Sequence, residues 1–243
     1  VSSAPDLTSR VLRHERAVLL VGIALLVGLS WAFLFTGAGM PGSMDMEAMP
    51  PPFAAVAVMW WVMMAAMMLP SALPALLLYA NVREARSGHS TIAATWLFLA
   101  GYLAVWLLFS LIAGGAQILL GGAMTIANRY AQAILLIAAG GYQLSPAKGA
   151  CLGQCRSPAR FISRYWRAGR MGAVRLGLLH GAYCVGCCWM LMALLFVGGV
   201  MNLWWVVALT LLIAFEKLVN GGVWLARVSG LALAGWGVAL LVV

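Results

Sequence analysis

Apolar runs that carry no charge recur along this chain. Ala17–Phe35, Phe53–Asn81 and Thr91–Leu111 contain no Asp, Glu, Lys or Arg. About 20 residues at about 1.5 Å each cross a hydrocarbon core of ~30 Å, so each run is long enough to span a bilayer as a helix. Only 9% of the 243 residues are charged and 64% are hydrophobic, whereas soluble domains are about 25% charged. The fold class this implies is all-α: a polytopic membrane protein whose main partner is the lipid bilayer.

About seven transmembrane helices are expected from the spacing of the runs. They cover roughly Ala17–Phe35, Phe53–Asn81, Thr91–Leu111 (extending towards Leu120), Gly122–Leu144, Leu176–Val197, Met201–Leu218 and Gly222–Val243. The first is read as a retained helix, because no small-residue cleavage site follows it. Pro70 and Pro74 should kink the second or loosen its backbone bonds. With the N-terminus in the cytoplasm and the C-terminus outside, every Lys and Arg except Arg129 falls inside, as the positive-inside rule requires. The layout is then a cytoplasmic tail, 1–16, and one transmembrane domain, 17–243. That domain carries an outer methionine-rich loop at 37–52 and a basic cytoplasmic loop at 145–175. The expected location is the bacterial inner membrane, multi-pass. Fifteen bases against six acids resemble a nucleic-acid signature, but their placement at span ends assigns them to topology, and no nucleic-acid partner is expected.

Within the fifth run stands His180-Gly-Ala-Tyr-Cys184-Val-Gly-Cys187-Cys188-Trp-Met-Leu-Met192. Residues three or four apart share a helix face, so His180, Cys184, Cys188 and Met192 form one stripe with Cys187 beside it. A single cysteine here would be a small packing hydrophobe. Three within five residues, preceded by an imidazole that is costly in a membrane unless partnered, point to metal or redox chemistry. Soft sulfur and imidazole suit Cu(I), with Zn(II) as the other candidate, and not Mg(II) or Ca(II).

The second run adds Met63, Met64, Met67 and Met68, two pairs at i, i+4. These methionines fill gaps beside a proline kink or act as thioether rungs for Cu(I). Their Met-x-x-x-Met spacing resembles the pore of eukaryotic-type copper importers in local chemistry, though not in fold. By helical rise, Met63/Met67 and Cys184/Cys188 reach a similar depth, and could line one site if the second and fifth spans meet. Outside, Met40, Met44, Met46 and Met49 with Asp45 and Glu47 could capture copper. Inside, Cys151 and Cys155 share a face if helical, and could exchange metal with a soluble carrier; Lys148 and Arg156 should favour their thiolates. Glu216 and Lys217 are expected to snorkel to the inner interface, the alternative being a buried acid on an ion path. Trp60, Trp61, Trp204 and Trp205 read as interfacial anchors.

Three motifs carry a family resemblance. Trp61-Val-Met63-Met64-Ala-Ala-Met67-Met68-Leu-Pro70-Ser71 is the first. The second is the Tyr142-Gln-Leu-Ser-Pro146 to Pro158 run with Lys148, Cys151 and Cys155. The third is Gly181-x-Tyr183-Cys184-x-Gly186-Cys187-Cys188-Trp189-x-x-Met192, continued by Phe196-Val-Gly198-Gly199-Val-Met201-Asn202-Leu203 and Glu216-Lys217. Together they resemble a bacterial domain-of-unknown-function family described as predicted metal-binding integral membrane proteins. The likeness starts near Phe53, and what it implies is metal binding in a multi-span protein.

Three functions follow. The first is a protein that handles Cu(I), by transport, delivery or insertion into a partner, through an intramembrane Cys/Met/His site. The second is a membrane thiol/quinone oxidoreductase built on the Cys184-x-x-Cys187 pair. It ranks lower because such enzymes need an outward-facing cysteine pair, and none of the five cysteines falls outside in this topology. The third is an accessory structural subunit of a larger membrane complex, needing no metal, with its glycines serving close helix packing.

Overall fold

The computed structural model describes residues 4–37, 52–87, 92–121 and 124–242. The expected outer capture residues Met40, Met44, Asp45, Met46, Glu47 and Met49 lie outside the described residues. The chain is helical throughout, with no strand among the described residues. The order is α1 (Ala4–Phe35), α2 (Phe53–Ser87), α3 (Ile92–Leu119), α4 (Arg129–Leu144), α5 (Pro146–Arg156), α6 (Pro158–Tyr165), α7 (Gly169–Ala193), α8 (Leu195–Gly198), α9 (Leu203–Leu218) and α10 (Gly222–Val242).

Five helices have the length and apolarity to cross a membrane: α1, α2, α3, α7 with α8, and α10. The expected fourth and sixth spans form helices α4 and α9 of 16 residues each, about 24 Å long at the α-helical rise. The fourth is shorter than expected because Asn128 starts it. The Asn128 side chain accepts from the backbone of Tyr130 and Ala131, satisfying donors that a helix start leaves free. The residues before it pair with another turn instead: Ile126 N donates to Phe196 O at 2.8 Å and Val200 N to Met124 O at 2.9 Å. Gly199 makes that turn with a φ of 98°, a backbone region open chiefly to glycine.

The segment 145–175, read as the basic stretch between two spans, is largely helical, forming α5, α6 and the first turns of α7. Ser145 caps α5 by accepting from Lys148 N, and Pro146 and Pro158 occupy the first turns of α5 and α6, where a missing N–H costs nothing. The basic residues at 83 and 86 likewise continue α2 rather than leave it. Pro70 and Pro74 sit inside α2 without interrupting it. Around them the Met68 carbonyl collects the Ser71 hydroxyl at 2.9 Å and the Tyr102 hydroxyl at 3.3 Å.

The centre is organised by α3, which packs against both α2 and α7, while α10 packs on α4 and α5 on α7. Small residues set these approaches. A Cβ at Gly177 of α7 would fall 2.0 Å from the Phe98 carbonyl oxygen of α3, and one at Gly101 2.5 Å from that of Val174. Gly140 on α4 meets the Gly230 carbonyl of α10 in the same way. Close backbone approach through small residues is how helices gain contact where lipid offers no hydrophobic drive.

Candidate metal site

The face of α7 that turns inward carries His180, Cys184, Cys188 and Met192, all buried, with Cys187 buried beside them. The 3.6-residue period places them there. The opposite side of that helix exposes Leu178 and Trp189. The helices that hold the expected sites, α2 and α7, both pack on α3, and their side chains meet: Cys188 Sγ stands 3.9 Å from Met68 Sδ. Both Cys187 and Cys188 thiols donate to the Cys184 carbonyl at 3.0 Å.

Cys184 is the hub. Its sulfur accepts from Lys217 Nζ at 3.0 Å and shares a hydrogen bond of 3.1 Å with the Tyr102 hydroxyl. Lys217 also reaches Ser71 Oγ at 3.3 Å and Met68 Sδ at 3.8 Å. Four helices, α2, α3, α7 and α9, therefore converge on one sulfur-lined pocket. Met63, Met64 and Met67 are buried with Met68 on α2, and with Met192 they join the hydrophobic core around this pocket.

The fifth contributor is α5. Cys155 lies within hydrogen-bonding reach of Cys184 and Cys187. Cys151 touches the α7 backbone so closely that a Cβ on Gly186 would fall 2.8 Å from its sulfur. The expectation that Lys148 and Arg156 favour thiolates on this pair is overturned. Lys148 Nζ is bound to Glu216 Oε2 at 2.6 Å. Arg156 donates to the Val219 and Asn220 carbonyls at 2.9 and 3.0 Å. Donation to Cys184 and then Cys187 holds the Cys155 thiol well above the usual range, and burial pushes that of Cys151 up. Both turn towards α7 instead of forming an exposed pair.

Glu216 and Lys217 do not snorkel. Both are buried, and successive residues on α9 point about 100° apart, so each serves a different network. Glu216 pairs with Lys148 and accepts from Gln143 Nε2 at 2.7 Å; Lys217 turns to the sulfurs. A buried charge is retained only when paired or well hydrogen-bonded, and both are. The expected tryptophan anchors separate too. Trp60 is fully buried and donates to Gln117 Oε1 at 2.7 Å, Trp61 donates to the Leu103 carbonyl at 3.1 Å and Trp205 to that of Leu194 at 2.8 Å. Trp204 stays exposed.

His180 stands in an aromatic box of Phe98, Tyr102 and Phe161, with ring centroids 5.9, 5.7 and 5.2 Å away. Its buried Nδ1 has no hydrogen-bond partner. Among the described residues no three His, Cys, Asp or Glu side chains already form a metal-holding group. The densest donor set therefore depends on the thioether of Met68. Thiol and thioether donors buried together fit a soft d¹⁰ ion. Sequence reasoning missed Lys217, Tyr102 and Ser71 as pocket residues. The signal within reach was an adjacent acid–base pair inside an otherwise apolar run, which two snorkelling side chains would not require.

No curated protein and no solved structure matches the chain. A family described as copper chaperone, PpoB2, matches residues 57–240, three quarters of the chain and all of the pocket, and the chain belongs to that family.

Proposed function

We propose that this protein is a membrane-embedded copper chaperone that carries Cu(I) as cargo in the pocket of Met68, Cys184, Cys187, Cys188 and Cys155. The observation that carries the reading is the 3.9 Å approach of Cys188 Sγ to Met68 Sδ between α2 and α7. It pairs a thiol with a thioether, a combination that selects Cu(I) over Zn(II) or hard cations. The unpartnered Nδ1 of His180, one turn before Cys184, supplies a further donor next to the pocket. Met63, Met64, Met67 and Met192 extend soft-ligand character along the core, and Cys151 extends it towards the basic end of the molecule. A relay of this kind delivers the ion to a soluble carrier or a membrane-bound acceptor by ligand exchange, which costs a d¹⁰ ion little geometry.

The chain sits in the bacterial inner membrane with α4 and α9 completing seven crossings, N-terminus inside and C-terminus outside. Charge placement supports this arrangement, because five crossings alone would put the arginines of α5 and α6 on the outer side. The contact of Arg16 with Glu84 at 3.9 Å places the basic ends of α1 and α2 together, as two successive antiparallel crossings require.

The test is anaerobic Cu(I) titration of protein purified in mild detergent, in competition with a chromogenic Cu(I) chelator. About one tightly held Cu(I) per chain is expected, lost in the Cys184→Ser, Cys188→Ser double variant while Zn(II) binds weakly to both. An unmodified chain that takes no Cu(I) from the chelator would end this reading.

A further inference from the structure

We infer that the Lys217 ammonium is a surrogate cation, holding the sulfur pocket while copper is absent and displaced when Cu(I) enters, so that Lys217 sets how readily the ion is taken up and released. This rests on the copper reading above. Nζ occupies the position a soft cation would take: 3.0 Å from Cys184 Sγ, 3.8 Å from Met68 Sδ and 3.3 Å from Ser71 Oγ, with Cys188 Sγ next to the same thioether. Among the described residues no carboxylate forms an ion pair with it. The neighbouring Glu216 is committed to Lys148 and Gln143.

An ionisable side chain at such a depth without a carboxylate is there for the pocket. It has a reason to be a cation. Cu(I) brings one positive charge as the departing ammonium removes one, so the exchange itself adds no charge to the cluster, and each thiol that becomes a ligand gives up its proton to solvent. The geometry also gives the ammonium somewhere to go. Lys217 lies in the last turn of α9, and its four-carbon stem lets the head swing past the half-buried Ser71 towards the helix end. When copper is handed on, the returning ammonium refills the site. It thereby speeds release, which a carrier needs and a storage protein does not.

The experiment uses the full chain in detergent with Cu(I) or Zn(II) as the probe. In Lys217→Met both metals bind more tightly, by about tenfold or more, because neither has to displace the ammonium. Cu(I) transfer from the same variant to an acceptor chelator slows by about tenfold or more, the returning cation being absent. Lys217→Arg, which restores the charge, returns affinity and transfer rate towards those of the unmodified chain; a purely structural role would leave both variants simply weaker for both metals. A second measurement needs no variant. Reductive methylation read by mass spectrometry should label Lys217 several times more in Cu(I)-loaded than in metal-free protein, as a displaced amine is exposed. Unchanged labelling on a chain that does bind Cu(I), or Cu(I) affinity no higher in Lys217→Met than in the unmodified chain, overturns the exchange and leaves the copper reading standing. Failure of the unmodified chain to bind Cu(I) overturns both.

Discussion

Lys148 Nζ and Glu216 Oε2 lie 2.6 Å apart with 1% and 2% of their side chains exposed, joining α5 to α9 inside the protein. Gln143 from α4 donates to Glu216 Oε1 and to Ser229 of α10, so four helices are tied at one point. Removing one partner leaves the other buried and uncompensated, which costs about 3–5 kcal/mol, whereas replacing both with apolar groups of similar size is often close to neutral. Glu216→Leu should therefore lower the thermal midpoint in detergent sharply, and Lys148→Met with Glu216→Leu should recover most of the loss. Additive losses in the double variant would show that the pair is not coupled.

Met68 is distinguished from the other α2 methionines by its contact with Cys188. Met68→Leu is expected to weaken Cu(I) binding by about tenfold or more while leaving Zn(II) nearly unaffected, as thioether is the softer donor. Met64→Leu, a core replacement of similar volume, should cost less than about 1.5 kcal/mol of stability and little affinity. Chelator competition on both variants reads this directly; equal losses of Cu(I) would place the methionines together as packing.

The approach of α3 to α7 depends on Gly177, where a Cβ would fall 2.0 Å from the Phe98 carbonyl oxygen, whereas a Cβ on Gly153 of α5 meets nothing within 4 Å. Gly177→Ala should destabilise by about 1–3 kcal/mol through overpacking. Gly153→Ala should be neutral or stabilising by up to about 1 kcal/mol through helix propensity. Midpoints of thermal unfolding for the two variants separate a packing glycine from a permissive one. Since Gly177 lies one turn before Gly181 and His180, the first variant should also disturb metal binding.

Ser163 is exposed on α6, on the side that seven crossings place in the cytoplasm. Ser163→Cys should react with a membrane-impermeant maleimide in inverted vesicles, above the level set by the native cysteines, and should be protected in intact spheroplasts. Labelling in spheroplasts instead would mean that α4 does not cross and that the arginines of α5 and α6 face outward, against their charge bias.

Much of the layout follows from local pattern. The apolar runs announce helices for reasons confined to a few neighbouring residues. The same locality explains what went astray. A run rich in Arg and poor in apolar residues reads as a loop, yet α5 and α6 fold because one face of each finds α7 or α2, and α6 buries Phe161 and Ile162.

By itself the sequence determined an all-helical chain with membrane-length apolar helices, and it put His180, Cys184, Cys188 and Met192 on one inward stripe, because a 3.6-residue period is a property of any helix. Only the tertiary structure decided that α2 and α7 both pack on α3, that Met68 stands beside the Cys188 thiol, that Cys155 comes back to join them, and that Lys217 points inward. Those outcomes depend on charges and sulfurs far apart in the chain finding partners that offset their burial. No local periodicity encodes such a partnership.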